Sequence, residues 1–133
     1  IRVETPVVPA VVSAGETVRA HVVFRPNRDA KGHWNNEVDE LVFWVDPPVG
    51  WDVDRRYLTV PLPPQAVSEE PRKVELEVKT PEGFTGEATL PAYALYYVCE
   101  DVHGTCLYRR QDVDIVFRVT HAKRGKGNLR QQD

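Results

Sequence analysis

The sequence predicts an all-β protein, an antiparallel immunoglobulin-like β-sandwich of about seven to nine strands. The first indication is a hydrophobic period of two. In residues 73–79 (KVELEVK), Val74, Leu76 and Val78 alternate with charged side chains, as in a strand with one wet face. The second is the regular recurrence of proline- and glycine-containing turn signals between short apolar runs. The third is that no window of about 11 residues has the period of an amphipathic helix. Short strands at this spacing are typical of a β-sandwich.

Each predicted strand follows from its own local pattern. Residues 3–12 are expected to form an edge strand, in which Pro6 and Pro9 hinder pairing with another molecule. Residues 41–45 (LVFWV) are apolar throughout, which predicts a central strand covered on both faces. Pro91 predicts a bulge, an edge or a bend within residues 87–98. The remaining predicted strands are 17–24, 57–60, 73–79 and 112–119.

One domain, residues 1–120, accounts for the patterned part of the chain. A length of 133 residues suits a single domain that buries a substantial core, so folding need not depend on a disulfide. Residues 121–133 carry Lys123, Arg124, Lys126 and Arg130 together with two glycines. We expect this segment to be a flexible, solvated basic tail.

The composition narrows the range of partners and compartments. A formal net charge of −3, from 17 basic and 20 acidic side chains, is too even to indicate nucleic-acid binding. No apolar run approaches the roughly 18 residues of a membrane span, so no insertion of this segment into a membrane is expected. The chain opens with Ile1 and contains no methionine, which predicts a piece processed or excised from a longer product.

The two cysteines, Cys99 and Cys106, are the most informative residues for function. Strand-like sequence flanks them and a turn containing Gly104 lies between them, so a hairpin would bring them face to face. A disulfide that closes residues 99–106 would stabilise the fold by about 2.5 kcal/mol on the chain-entropy model. A bond of that strength is useful but not necessary to a core of this size. The pair is therefore either a structural staple or a bond that is made and broken in function. Either way, paired cysteines indicate an extracytoplasmic location.

Polar residues in the same loop allow two further kinds of chemistry. His103 could stabilise a thiolate or relay a proton, whereas the charges of Glu100 and Asp101 disfavour a thiolate. Cys99, His103 and Cys106, with His33 as a fourth ligand, could instead hold a metal ion. Zinc sites have tighter paired spacings, so we expect no metal. No catalytic triad, phosphate-binding glycine loop or carboxylate pair stands out, and we expect no cofactor.

Aromatic residues flank the cysteine loop, and the tryptophans are distributed over the rest of the chain. Tyr96, Tyr97 and Tyr108 could shield the sulfurs or dock a partner, although core and cross-strand packing explains them equally well. The three tryptophans are expected to anchor core and loop packing, and one of them could instead be exposed for a partner. They are Trp34, Trp44 and Trp51.

Two stretches resemble a known redox family. They are YYVC, from Tyr96, with GTCLY after a short polar loop, and GHWNNEVDELVFWVDPPVGWDV, from Gly32. Together they resemble the N-terminal periplasmic domain of the thiol:disulfide interchange protein DsbD, and the related β-sandwich domains of thioredoxin-like proteins with NHL repeats. The resemblance implies an immunoglobulin-like sandwich outside the cytosol, either periplasmic or at the cell surface. It also implies that Cys99 and Cys106 are a redox pair, and that His33 and Asn35 lie in a turn near the cysteine loop.

The function predicted from these observations is thiol–disulfide exchange. The resemblance implies that a thioredoxin-like or membrane redox protein exchanges electrons with this segment through a mixed disulfide. Cys99 and Cys106 are the expected catalytic residues of a candidate thiol:disulfide oxidoreductase module, with Tyr97, His103, His33 and Asn35 in support. The alternative is a structural or protein-binding β-sandwich in which the hairpin disulfide is inert.

Overall fold

The computed structural model describes residues 1–27, 31–100 and 105–122, without the side chains of Glu100 and Thr105. These ranges contain twelve strands and no helix. In chain order the strands are β1 (Arg2–Glu4), β2 (Val7–Val8), β3 (Val11–Ser13), β4 (Thr17–Arg25), β5 (His33–Asn35), β6 (Leu41–Val45), β7 (Asp52–Val53), β8 (Tyr57–Val60), β9 (Val67–Ser68), β10 (Arg72–Lys79), β11 (Gly86–Glu100) and β12 (Thr105–Thr120).

The strands form two sheets, as a β-sandwich requires. The first sheet has the order β1-β4-β10-β7, with β2 also paired to β4. The second has the order β3-β12-β11-β5-β9, with β6 paired to β11 and β8 paired to β6. All of the pairings are antiparallel except that of β3 with β12, which is parallel. The predicted β-sandwich is therefore confirmed.

Strand β11 is a central strand of the second sheet, with neighbouring strands along both of its edges. One of its edges pairs with β12 in an uninterrupted register from Gly86↔Val119 to Glu100↔Thr105. Its other edge pairs first with β6, at Ala92–Leu95, and then with β5, at Val98 and Cys99. The cysteine end of β11 therefore lies between two strands.

The core lies between the sheets and follows the period of two seen in the sequence. Inward-facing residues of β4, β10, β11 and β12 are almost fully buried, while their chain neighbours are mostly exposed or half-buried. Aromatic rings of different strands contact each other inside, including Phe24 with Phe43 and Trp34 with Tyr96. The largest buried side chains are Trp34, Tyr96, Phe24, Phe43, Phe117, Leu41, Leu76, Leu90 and Ile115.

The strand count exceeds the predicted seven to nine because the sheet margins are divided into short pieces. The predicted edge strand 3–12 is three strands, with breaks at Pro6 and Pro9, and its last piece crosses to the second sheet. Proline cannot donate a ladder hydrogen bond, which explains both breaks. The basic tail prediction falls largely on residues 123–133, which lie outside the described residues.

One prediction about an individual strand needs correction, and the structure narrows another. Residues 41–45 form β6, but only alternate residues are buried, and Trp44 is 40% exposed on the outer face, so this strand is covered on one face rather than two. Of the bulge, edge or bend predicted at Pro91, the structure has no bulge, because the register with β12 runs through this residue. Pro91 is one residue beyond the stretch of β11 that pairs with β6, Ala92–Leu95, so it lies where β11 becomes an edge on that side, and its carbonyl accepts the Asp46 N–H at 2.9 Å.

Candidate functional site

The two cysteines lie directly opposite each other near the end of the β11–β12 hairpin. They form a cross-strand pair whose Cα atoms are 3.9 Å apart, and a disulfide joins them. The prediction that a hairpin brings Cys99 and Cys106 face to face is confirmed. His103 and Asp101 of the connecting loop, and the side chain of Glu100, lie outside the described residues.

The two sulfur-bearing residues differ sharply in exposure. Cys99 is only 3% exposed, whereas Cys106 is an exposed residue. Strand β11 has β5 on one side and β12 on the other at this height, so neighbouring strands cover Cys99. Strand β3 pairs with β12 only at Arg118–Thr120, the far end of the strand. A reagent from solution therefore reaches Cys106 more readily than Cys99.

His33 lies beside the buried cysteine. Its backbone pairs with Cys99 in the β5–β11 register, so the two side chains emerge on the same face of the sheet. The His33 Nδ1 atom is 3.2 Å from the Lys31 carbonyl oxygen, and a proton on Nδ1 would satisfy that acceptor. The imidazole is half-buried. The structure thus brings together His33 and Cys99, which the resemblance placed near each other.

Asn35 belongs to a turn at the end of the same strand. It pairs with Val67 of β9, and its side-chain oxygen accepts the Glu37 N–H at 3.1 Å. This side-chain-to-backbone bond two residues along is the Asx turn that asparagine favours. The structure therefore places His33, and not Asn35, opposite a cysteine.

Tyr97 and Tyr108 form the next cross-strand pair along the hairpin on this face. Their ring centroids are 4.6 Å apart on the outer face of the sheet. Tyr97 is half-buried and Tyr108 is exposed, so the pair offers aromatic surface beside the disulfide. Tyr96 points the other way, into the core, where its hydroxyl donates to the Gln111 side-chain oxygen at 3.3 Å.

A polar network centred on the buried Arg72 was not foreseen from the sequence. The Arg72 side chain is 3% exposed, stacks on the Trp34 ring with its guanidinium carbon 4.5 Å from the ring centroid, and bonds the Asn36 side chain. Its Nε atom also donates to a Glu70 carboxylate oxygen at 3.0 Å. The Asn36 amide donates in turn to Ser68 Oγ at 2.8 Å. Through Trp34, Ser68 and Arg72, this network connects β5, β9 and β10.

The same network alters the acidity of one carboxyl. Burial acts to raise the pKa of Glu70, but hydrogen bonds from Ser68, the backbone and Arg72, with the Arg72 charge, outweigh it and hold the pKa below its usual range. The sequence did carry a signal for this network. Arg72 falls in phase with Val74, Leu76 and Val78, the buried face of β10.

The tryptophans divide between core and surface. Trp34 and Trp51 are buried, and Trp51 contacts Phe84 and Phe117, so the predicted packing role of these two is confirmed. Trp44 is on the outer face of the cysteine-bearing sheet, against Tyr57 at a centroid distance of 4.5 Å.

Within residues 1–27, 31–100 and 105–122, no group of three or more His, Cys, Asp or Glu side chains is placed to hold a metal ion. Both thiols of the conceivable Cys99–His103–Cys106 set are joined in the disulfide. The same part of the chain contains no helix long and apolar enough to cross a membrane.

Comparison with known proteins gives only distant structural similarities. No protein-family model matches the sequence, and no curated protein matches it. The fold is similar to that of AvmM, described as catalysing macrocyclization in alchivemycin A biosynthesis, with 15% identity, a TM-score of 0.34 and 91% of each chain covered. It is also similar to that of the periplasmic chaperone SfaE, with 9% identity and a TM-score of 0.34, over 90% of this chain and 59% of that chain. Similarities at this level assign no function.

Proposed function

We propose that this chain is a thiol–disulfide exchange module of the DsbD N-terminal type, whose Cys99–Cys106 pair carries reducing equivalents. The observation that carries the proposal is the unequal exposure of the two cysteines. Exchange requires an attacking thiolate to reach one sulfur in line with the S–S bond. Cys106, on the outer strand of the hairpin, offers that sulfur, while Cys99 on the inner strand becomes the leaving group.

The exchange is balanced in electrons and protons. A thiolate of a dithiol partner attacks Cys106 Sγ and forms a mixed disulfide, and Cys99 Sγ departs with the electron pair of the broken bond. A second partner thiolate then attacks the partner's own sulfur in the mixed disulfide and releases Cys106. The partner loses two electrons and the Cys99–Cys106 pair gains them. The resulting thiols of Cys99 and Cys106 take up two protons. The reverse sequence passes the electrons to an oxidised protein.

The surroundings of the disulfide suit a bond that opens. Neither cysteine belongs to the hydrophobic core cluster between the sheets, although Cys99 is itself buried. His33 lies opposite Cys99, where a protonated imidazole would stabilise the departing thiolate. The Tyr97–Tyr108 pair, with its rings tilted by 35°, provides an aromatic surface on which a partner can dock beside the exposed Cys106.

The partner is the one that the resemblance implies, and the compartment is the one in which disulfides persist. A thioredoxin-like or membrane redox protein supplies the attacking dithiol. Disulfides persist in oxidising compartments, so the module acts outside the cytosol, in the periplasm or at the cell surface. The competing function is a structural or binding β-sandwich with an inert disulfide, which predicts no exchange with protein thiols.

Trapping of the mixed disulfide tests the proposal. The oxidised protein is mixed with a thioredoxin that retains only its attacking cysteine, and the adduct is located by peptide mass spectrometry. We expect an adduct through Cys106, with Cys99 released as a free thiol. The variant carrying both Cys99→Ala and Cys106→Ala is the control and should give none. Absence of an adduct with the oxidised wild type, or an adduct through Cys99, would overturn the proposed mechanism.

A further inference from the structure

The outer edge of β12 is open over most of its length. The strand runs through Thr105–Thr120, yet β3 pairs with it only at Arg118–Thr120. Between Leu107 and Phe117, no strand in the described part of the chain pairs with this edge. An open edge presents backbone N–H and C=O groups that can accept another strand.

Pro91 reveals which backbone groups face this edge. In a strand, the N–H and C=O of one residue point to the same side, and the Pro91 carbonyl bonds Asp46 on the β6 side. Pro91 and its partner Asp114 are therefore a non-hydrogen-bonded pair of the β11–β12 ladder. By the alternation of such pairs, Asp114 and every second residue from it point their backbone groups away from β11, toward the open edge. These residues include Tyr108, Arg110, Asp112 and Asp114.

The side chains of the same residues carry an ordered charge pattern. All of them are on the outer face, with Arg110 followed by Asp112 and Asp114. The Arg110 and Asp112 side chains are 60% and 79% exposed, and within one chain they form an exposed ion pair, with Arg110 Nε 3.1 Å from Asp112 Oδ1, which a second copy would extend or exchange. A second strand of the same sequence, laid antiparallel, reverses this order and sets positive charge against negative.

Face and charge together select one register. A twofold axis perpendicular to the sheet keeps the outer face outward in both copies, so only shifts by two residues are allowed. With the axis at Gln111, Arg110 of each copy lies opposite Asp112 of the other, and each such pair exchanges two backbone hydrogen bonds. A shift by two residues sets Arg110 against Arg110, or Asp112 against Asp112. Like charges directly opposite are destabilising.

We propose that the protein forms a homodimer by antiparallel pairing of the β12 edges, with Gln111 at the twofold axis. The occupant of the edge is a second copy, since the edge is complementary in charge to itself. The exposed Val116 of one copy then lies opposite the exposed Cys106 of the other. The dimer follows from the edge alone and does not depend on the redox function.

Two charge reversals test the register. Arg110→Asp places like negative charges opposite each other twice, and Asp112→Arg does the same with positive charges. Each variant alone should dimerise at least about tenfold more weakly than the wild type, because two favourable pairs become repulsive. An equal mixture of the two variants should restore dimers, since the two aspartates of the first variant then face the two arginines of the second. Sedimentation velocity over a range of concentrations measures all three.

Lys73→Asp is the matched control, because Lys73 is exposed on β10 of the other sheet, and it should dimerise like the wild type. Hydrogen exchange adds a second measurement. The amides of Tyr108, Arg110, Asp112 and Asp114 should gain protection as the wild-type concentration rises. A wild type that stays monomeric at the highest soluble concentration would overturn the proposal. The proposal would also be overturned if both charge-reversal variants dimerised as strongly as the wild type. The same holds if an equal mixture of the two variants failed to associate.

Discussion

Cys99 and Cys106 differ because their strands have different neighbours. Cys99 lies on β11 between β5 and β12, while Cys106 lies on the outer strand of the hairpin. In the proposed exchange, the first attack is therefore directed to Cys106, and the negative charge that develops on opening would fall on Cys99. Among the described residues, His33 lies opposite Cys99 in the neighbouring strand, where its side chain can respond to that charge.

Replacing His33 by alanine should slow reductive opening of the disulfide. A positioned acid contributes roughly a hundredfold or more to a rate, and a half-buried imidazole that stabilises a departing thiolate should give about tenfold. Stopped-flow reduction by a thioredoxin-like dithiol gives the rate. His21→Ala is the control, because His21 lies on the other sheet and pairs with Glu75. Equal rates for His33→Ala and the wild type would remove His33 from the mechanism.

The lowered pKa of Glu70 makes the free energy of unfolding depend on pH. A carboxyl whose pKa is lower in the folded state stabilises the fold at pH values above its unfolded pKa, and that contribution disappears as the pH falls through the folded pKa. Glu70→Gln should therefore lower the free energy of unfolding at pH 7 and have little effect near pH 2. Because the Glu70 side chain is 42% exposed, solvent screens the interaction and the loss should stay under about 1 kcal/mol.

Urea unfolding at several pH values measures this effect, with Glu69→Gln as the matched change of charge on the neighbouring residue. A Glu70→Gln difference that persists unchanged to pH 2 would mean that the stabilisation does not come from the ionised carboxylate.

Local sequence pattern foretold some of these residues and not others. The pairing of Cys99 with Cys106 follows from the hairpin pattern alone. Their unequal exposure does not, because it depends on where β5 and β3 pair with the hairpin, and both strands come from the distant first third of the chain. The Arg72 network was missed for a different reason. A buried arginine runs against the usual preference of charged residues for the surface, although its phase in β10 pointed inward.

At the scale of the element, the β11–β12 hairpin is held by its own ladder and core contacts. Leu90 and Phe117 are buried at its centre, well removed from the disulfide in the register. The reduced protein should therefore unfold cooperatively, with a loss of no more than about 2.5 kcal/mol relative to the oxidised form. Leu90→Ala, in the same strand, should cost roughly 2–5 kcal/mol.

Denaturant unfolding of the oxidised protein, the reduced protein and the variant with both Cys99→Ala and Cys106→Ala provides the comparison. If reduction alone abolished the cooperative transition, the disulfide would be a structural staple and the exchange proposal would lose its basis.

The sequence predicted the long strands well and the short ones poorly. The alternating patterns of β4, β10 and β12 marked strands with one buried face, and the structure has them. Pieces of two or three residues such as β2, β7 and β9 are too short to show a period. The apolar run of β6 was misread as buried on both faces, because Trp44 and Tyr57 cover each other on the surface.

At the scale of the whole molecule, the Cys99–Cys106 disulfide is separated from the apolar core between the sheets. The two sheets bury a continuous apolar core, and the disulfide lies outside it, near the end of the hairpin that carries the open β12 edge. The fold can thus stay intact while the sulfur bond opens and closes. Pairing of two β12 edges would link dimer formation to the accessibility of Cys106.

The reduction potential of the Cys99–Cys106 pair decides between an exchangeable and a structural disulfide. The protein is equilibrated with glutathione or dithiothreitol buffers of defined potential, and the fraction of free thiol is measured by alkylation and mass spectrometry. A working exchange module should have a potential above about −300 mV, in the range of disulfides that redox proteins can open. A potential well below about −300 mV, with a bond that resists a thioredoxin-like reductant, would identify a structural disulfide and rule out the exchange function.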